Sequence, residues 1–201
     1  MRVLPCADSA LLVELEDLGS VQALRDALDR EPPEGVTDLV PAARTLLVRW
    51  DARRADASTV ERCVRRAPLA EQRSGGGGLV RVPVVYDGQD LAEVARLTGR
   101  SPREVVAEHT ATEWTVAFGG FAPGFGYLTG GPLEVPRRSE SRTRVPAGSV
   151  GLAGAFSGIY PRSSPGGWQL IGRTELEVWR EDRDPPALLR PGVRVRFEEA
   201  G

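Results

Sequence analysis

Lysine and asparagine are missing altogether, so each of the 26 basic residues is an arginine. Without lysine the chain cannot supply a Walker A lysine, a Schiff-base amine, a Ser–Lys dyad or a biotinyl-lysine. Without asparagine there is no N-glycosylation site and no Asn-containing cysteine-protease triad. Histidine occurs once, as His109, and cysteine twice, as Cys6 and Cys63. Two distant cysteines form neither a disulfide framework nor a CxxC site, and with one histidine they cannot build a Cys/His zinc cluster. A formal charge of −2 lacks the basic field of a general nucleic-acid binder. No apolar run approaches the roughly 18 residues of a spanning helix. The opening MRVLPCADSALLVELEDLG has too short an apolar stretch, broken by Asp8, for a signal peptide. These absences lead to the expectation of a cytoplasmic protein with no membrane or nucleic-acid partner.

What is present is a globular composition. The 201 residues are 41% apolar and 27% charged, with 23 Gly and 16 Pro, which suits one large domain or two small ones. The run Arg73-Ser74-Gly75-Gly76-Gly77-Gly78 reads as a flexible linker between a domain at 1–72 and another at 79–201.

Ahead of it, Ala10–Glu16 alternates partially and predicts a strand; Val21, Leu24 and Leu28 fall at helical spacing, with Ser20 available as N-cap. Val36–Val40 and Thr45–Trp50 predict a hairpin, and Val60, Cys63, Val64 and Ala67 an amphipathic helix. With a short strand at Arg2–Pro5 the order becomes β-β-α-β-β-α, which suggests an α+β domain of ferredoxin-like kind.

After the linker, Leu79–Tyr86 predicts a strand and Asp90–Leu97 a short helix. Ser101-Pro102-Arg103-Glu104 is a capping box with proline at the first helical position, opening a helix that runs to about His109. From Glu113 the helical period is lost. Short strands alternate with Gly/Pro turns at Trp114–Phe118, Arg144–Ala147, Ser149–Leu152, Trp168–Ile171, Leu176–Trp179 and Val193–Phe197, as in a closed or nearly closed β-barrel.

Three segments of the second domain stand out. Gly119–Gly131 (GGFAPGFGYLTGG) mixes glycines with Phe121, Phe125 and Tyr127, either as a loop over a barrel end or as the apolar wall of a ligand pocket. It is neither a Rossmann fingerprint nor a P-loop. Pro136–Arg144 (PRRSESRTR) carries Arg137, Arg138, Arg142 and Arg144, forked cations suited to a carboxylate or phosphate or simply to a solvated face. In Ser163–Thr174 (SSPGGWQLIGRT) Trp168 opens a strand that holds Gln169 and Arg173 two pleats apart on one face, as a rim feature or a ligand-facing pair. His109, near a helix C-terminus, either bonds terminal carbonyls or performs the acid–base chemistry that only it can supply. Ala147-Gly148-Ser149-Val150-Gly151 resembles a nucleophile elbow, but the following LAGAFSGIYP cannot form the required helix.

HTATEW, GFAPGFGYL, VPRRSESRTRVPAGSVGLAG, GIYP, SPGGWQLIGRT and PALLRPGVRVRF, in this order, resemble the KipI / allophanate-hydrolase subunit 1 family, and ADSALLVELE resembles its N-terminal opening. The resemblance implies a small α+β domain followed by a cyclophilin-like barrel. It implies a non-autonomous subunit of an ATP-dependent 5-oxoprolinase, opening 5-oxo-L-proline to L-glutamate with a KipA-like (allophanate-hydrolase subunit 2) protein and a LamB/YcsF-like subunit. Inhibition of a sensor histidine kinase and a carboxyltransferase role in a biotin-dependent, urea-carboxylase-like enzyme are other activities in the family. No nucleotide-binding motif or other cofactor motif is visible, so ATP is expected to engage another subunit or a shared interface.

Carried over by position, the implied substrate-binding residues are Pro123, Gly124, Phe125, Tyr127, Arg137, Arg138, Ser149 and Gln169, with His109 and Arg173 as the implied catalytic pair and no metal. The chain departs from the family pattern at Gly126 and Ser141, where prolines are usual, and at Ala155-Phe156-Ser157, where a Gln-Thr pair usually precedes GIYP.

Overall fold

The computed structural model describes residues 1–69 and 78–201. The chain divides into two compact units, Met1–Ser74 and Gly75–Gly201. The expected linker at 73–78 lies, apart from Gly78, outside the described residues.

The first unit is one antiparallel four-stranded sheet covered by two helices. Its strands are β1 (Arg2–Pro5), β2 (Ala10–Glu14), β3 (Val36–Pro41) and β4 (Thr45–Trp50), in the order β1-β2-β4-β3. Alternation puts Leu11 and Val13 of β2 and Leu46, Val48 and Trp50 of β4 on one face, where they meet Val21, Leu24 and Leu28 of α1 (Leu18–Arg30) and Val60 and Val64 of α2 (Ala57–Arg66). The N-cap of α1 is Asp17 and not Ser20: the Asp17 carboxylate accepts the Ser20 amide at 2.7 Å, one turn earlier than the spacing suggested. That bond lowers the Asp17 pKa. Asp56 caps α2 in the same way, and its bonds from Ser58 and Thr59 bring its pKa down to about 2.

The second unit is a nearly closed barrel. Its seven-stranded mixed sheet is built from β5 (Leu79–Val84), β6 (Trp114–Gly119), β7 (Gly126–Thr129), β9 (Ser149–Ala153), β10 (Phe156–Ile159), β12 (Gln169–Arg173) and β13 (Arg194–Glu199). The strand order is β12-β9-β10-β7-β6-β13-β5, with β5 and β13 parallel. The two ends meet just past β5, where Val85 and Arg173 exchange both backbone bonds at 2.9 Å. Beyond this seam Gly88 and Asp90 donate to the carbonyls of Ile171 and Leu170. Val82, Val84, Val116, Leu128, Val150, Leu152, Ile159, Ile171 and Phe197 fill the interior. Helices α3 (Leu91–Thr98) and α4 (Pro102–Ala111) precede β6, and the capping box of Ser101 and Glu104 is formed. A two-stranded ribbon, β8 (Arg142–Val145) with β11 (Ser164–Gly166), lies outside the main sheet.

Three sequence expectations for this unit fail locally. Leu176–Trp179 is not a strand; only Trp179 forms an isolated bridge, to Ala187. Within Gly119–Gly131, residues Gly126–Thr129 pair as strand β7. Gln169 and Arg173 do not share a face. A bulge between Leu170 and Gly172 sets Gln169 opposite Leu152 and Arg173 opposite Ser149, three residues apart on β9 and therefore on opposite sides.

Candidate functional site

The site grows from two glycines. On the hairpin of β9 and β10, Val150, Leu152 and Ile159 face the barrel interior, and Gly151 and Gly158, opposite each other in register, face outward. A Cβ at Gly158 would fall 2.9 Å from Phe125 Cζ and 3.1 Å from Trp168 Cζ3, so both rings pack against bare backbone. Phe125 and Trp168 meet edge to face, with centroids 5.3 Å apart. Tyr160 and Leu170 complete this outer cluster with Val145 and Ala153. Replacing Gly158 with Ala should displace both rings and cost about 1–3 kcal/mol by overpacking. Urea unfolding read by tryptophan fluorescence measures this, and an unchanged midpoint would show that the rings have room to spare.

The cluster frames a pocket of about 200 Å³ lined by Phe121, Phe125, Tyr127, Tyr160 and Trp168, with Arg137 and Ser141 at its polar side. Burial raises the pKa of Tyr127 and of Tyr160, and the charge of Arg137 opposes it at both, so the guanidinium and the two phenols share one field.

The four arginines of Pro136–Arg144 divide into two classes. Arg138 and Arg142 both donate to Oδ1 of the buried Asp90, at 2.9 and 2.8 Å, while Asp90 Oδ2 accepts the Leu170 amide at 2.7 Å. Arg144 donates to Ser163 Oγ at 3.2 Å. Arg137 makes no hydrogen bond or ion pair among the described residues. Its neighbours are pinned on both sides: Pro136 O accepts from Gln169 Nε2 at 3.2 Å, and the Arg138 amide donates to Gly167 O at 2.9 Å. The backbone at this pocket edge is therefore anchored, and the exposed Arg137 guanidinium keeps its donors uncommitted among the described residues.

One pocket wall is built under strain. Ala122 donates its amide to Gly120 O at 2.7 Å, closing a three-residue turn with Phe121 at its centre and φ +66°. A γ-turn of this hand is rare, and a positive φ on a bulky aromatic residue costs on the order of 1–3 kcal/mol. The chain then makes a four-residue turn over Ala122-Pro123-Gly124-Phe125, where Gly124 at φ +82° follows proline as a type II turn requires.

The structure therefore brings together Phe125, Tyr127 and Arg137 of the sequence-derived candidates. Pro123 and Gly124 shape the loop but do not line the pocket. Arg138 is committed to Asp90. Gln169 is buried on the interior side of β12, with Oε1 unpaired among the described residues. Ser149 is buried opposite Arg173, and Arg173 sits half exposed outside, paired with Asp87 at 2.9 Å and Glu175 at 3.6 Å.

His109 is fully buried inside the barrel, 0% exposed. Its Nδ1 lies 2.7 Å from the Tyr86 hydroxyl and its Nε2 2.9 Å from Ser157 Oγ, so a neutral ring with one donor and one acceptor nitrogen is satisfied at both ends. Phe197 stacks on it with centroids 4.2 Å apart, and the Trp114 indole donates to its carbonyl at 3.0 Å. Burial brings its pKa down to about 3.

Tyr160, Trp168 and Ser141 in the pocket and Asp90 near it are absent from the sequence-derived site, while Phe121 enters it only as one aromatic of the Gly119–Gly131 wall. A signal existed for the aromatics: GIYP and GGW place rings beside glycines whose outward alternation only pairing reveals. Among the described residues no cluster of three or more His, Cys, Asp or Glu side chains could hold a metal, and no helix is long and apolar enough to cross a membrane.

The chain is 38% identical over 213 residues to the B subunit of the 5-oxoprolinase of Bacillus subtilis, covering 94% of this chain and 89% of that protein. It is similar to the crystal structure of a conserved protein of Pyrococcus horikoshii, with 37% identity, a TM-score of 0.59, and 99% and 97% of the two chains covered. The urea carboxylase of Kluyveromyces lactis shares the fold at 19% identity and a TM-score of 0.79, with 99% of this chain lying on 22% of that one. Residues 1–189 match the carboxyltransferase domain, subdomain C and D, and the chain belongs to that family.

Proposed function

We propose that this chain is the B subunit of a 5-oxoprolinase complex and that its outer aromatic pocket receives the substrate. The observation that carries this reading is Arg137. It is an uncommitted guanidinium beside five aromatic rings, and 5-oxoproline is a flat five-membered lactam bearing one carboxylate. Arg137 binds the carboxylate, the rings of Phe125, Tyr127 and Trp168 flank the lactam, and the tyrosine hydroxyls face its amide. Ring opening adds water across the amide C–N bond to leave an amine and a second carboxylate, and ATP hydrolysis elsewhere in the complex drives it. A KipA-like protein and a LamB/YcsF-like subunit supply the remaining machinery, in the cytoplasm, and the isolated chain is inactive.

In this reading His109 and Arg173 are positioning residues. His109 fixes the interior under β10, and Arg173 fixes the barrel seam. The first unit is ferredoxin-like with one edge strand moved to the chain start, and the barrel is cyclophilin-like.

The test is reconstitution of all three subunits with measurement of 5-oxoproline-dependent release of glutamate and ADP. Arg137→Gln should raise KM by about ten- to a hundredfold, the range of one lost charge-assisted pair. No turnover from the three wild-type subunits would reject the activity, and turnover unchanged by Arg137→Gln would reject the pocket.

A further inference from the structure

Phe121 is the least comfortable residue of the pocket. The residue is 58% exposed, its backbone φ is +66°, and the one other non-glycine residue at positive φ among the described residues is Ala7. In the free chain, glycine would occupy this turn with less strain and without presenting an aromatic face to water. The ring is nonetheless held in a defined place. It stands edge-on to Phe125 at 5.3 Å and 72° and to Tyr160 at 6.0 Å and 82°, and it lines the pocket that holds Arg137. The turn centred on it, closed by Ala122 N–H to Gly120 O, and the turn that follows, closed by Phe125 N–H to Ala122 O, fix the direction in which it projects.

We propose that Phe121 is the specificity-determining wall of this pocket, selecting flat cyclic carboxylates over open-chain ones of similar charge. The inference rests on the pocket reading above and deepens it. Arg137 recognises any carboxylate and cannot tell a lactam from a flexible open-chain amide of the same charge. An aromatic face can, because a flat ring covers and desolvates it while a mobile chain loses rotamer freedom to do the same. The exposed Phe121 is the surface left to be covered, whereas Phe125 and Tyr160 are already buried.

The experiment titrates the full chain, by ligand-observed NMR, with 5-oxoproline and separately with glutaramate, an open-chain amide that also carries one carboxylate. The variants are Phe121→Gly, Phe121→Leu and Arg137→Gln. Wild type should bind 5-oxoproline more tightly than glutaramate. Phe121→Gly should lose about tenfold in affinity for 5-oxoproline with little change for glutaramate, while its thermal midpoint does not fall, since glycine fits the turn. Phe121→Leu should lose discrimination in the same direction. Arg137→Gln should weaken both ligands alike. If both Phe121 variants keep wild-type discrimination while Arg137→Gln weakens both ligands, the inference fails and the pocket reading stands. If wild type binds neither ligand, or Arg137→Gln changes nothing, the pocket reading fails and takes this inference with it.

Discussion

Asp90→Ala should cost the barrel unit about 3–5 kcal/mol, the range for removing one member of a buried ion-pair group. The carboxylate is 5% exposed and serves three donors at once: Arg138, Arg142 and the Leu170 amide. Removing it leaves an amide unpaired in the interior and two guanidinium groups facing each other with no counter-charge. Arg142, at 17% side-chain exposure, has the poorer recourse to water. The position amplifies the loss. Asp90 stands at the N-cap position of α3, where its backbone carbonyl accepts the Val94 amide, and its carboxylate joins β12 to the arginine-bearing β8 segment beside the barrel seam. Asp90→Asn keeps an acceptor for the Leu170 amide and should lose less, whereas Arg138→Met should lose least, because Arg142 still neutralises the carboxylate. Urea unfolding curves for the three variants check the order. A loss under about 1 kcal/mol for Asp90→Ala would show that the ion-pair group contributes little beyond its own desolvation cost.

The same carboxylate shows where sequence reading stops. Ser101 and Glu104 announce their helix because a capping box is local, and the alternation of Leu11 to Val13 and Leu46 to Trp50 announces a sheet because burial on one face repeats every second residue. The barrel is legible in outline for the same reason. Asp90 reads as an ordinary helix-start residue, since its partners lie 48 and 52 residues away in sequence. In sequence the four arginines of Pro136–Arg144 look alike. Only tertiary pairing commits Arg138 and Arg142 to Asp90 and leaves Arg137 without a hydrogen-bond partner among the described residues.

The expected Gln169–Arg173 face fails for an equally physical reason, because a single bulge residue inverts a strand's sides, and its one sign in the sequence is Gly172, an isolated glycine within the strand. Aromatic identity was visible in GFAPGFGYL, but the floor that arranges the rings is Gly151 opposite Gly158, a cross-strand pairing.

The single histidine gives the second large effect, and it is one of pH. Folded His109 holds its proton only near pH 3, against about 6.5 for an unfolded histidine. Between those values the unfolded chain binds a proton that the folded chain refuses. Stability from this group is therefore complete above about pH 6.5 and is lost as pH falls toward 3. The slope is about 1.4 kcal/mol per pH unit, so roughly 3 kcal/mol disappears between pH 6.5 and pH 4. The cause is burial: the ring is enclosed by Phe197 and Trp114, and its two nitrogens face the hydroxyls of Tyr86 and Ser157, with no carboxylate among these contacts. Burial also raises the Tyr86 pKa, reinforced by the charge of Glu199, so that phenol stays protonated throughout.

His109→Gln should lose about 1–3 kcal/mol at pH 7 from imperfect replacement of the two hydrogen bonds, and its stability should decline less steeply below pH 6.5 than that of wild type. The difference between the two urea-midpoint profiles isolates the histidine from the surface carboxylates, which both proteins share. In the untagged wild-type chain the imidazole ring protons give one set of signals and need no assignment. Their shifts should stay flat from pH 8 to pH 5. A titration with a midpoint near 6.5 would mean that the ring is hydrated, and would restore His109 as a proton carrier at neutral pH.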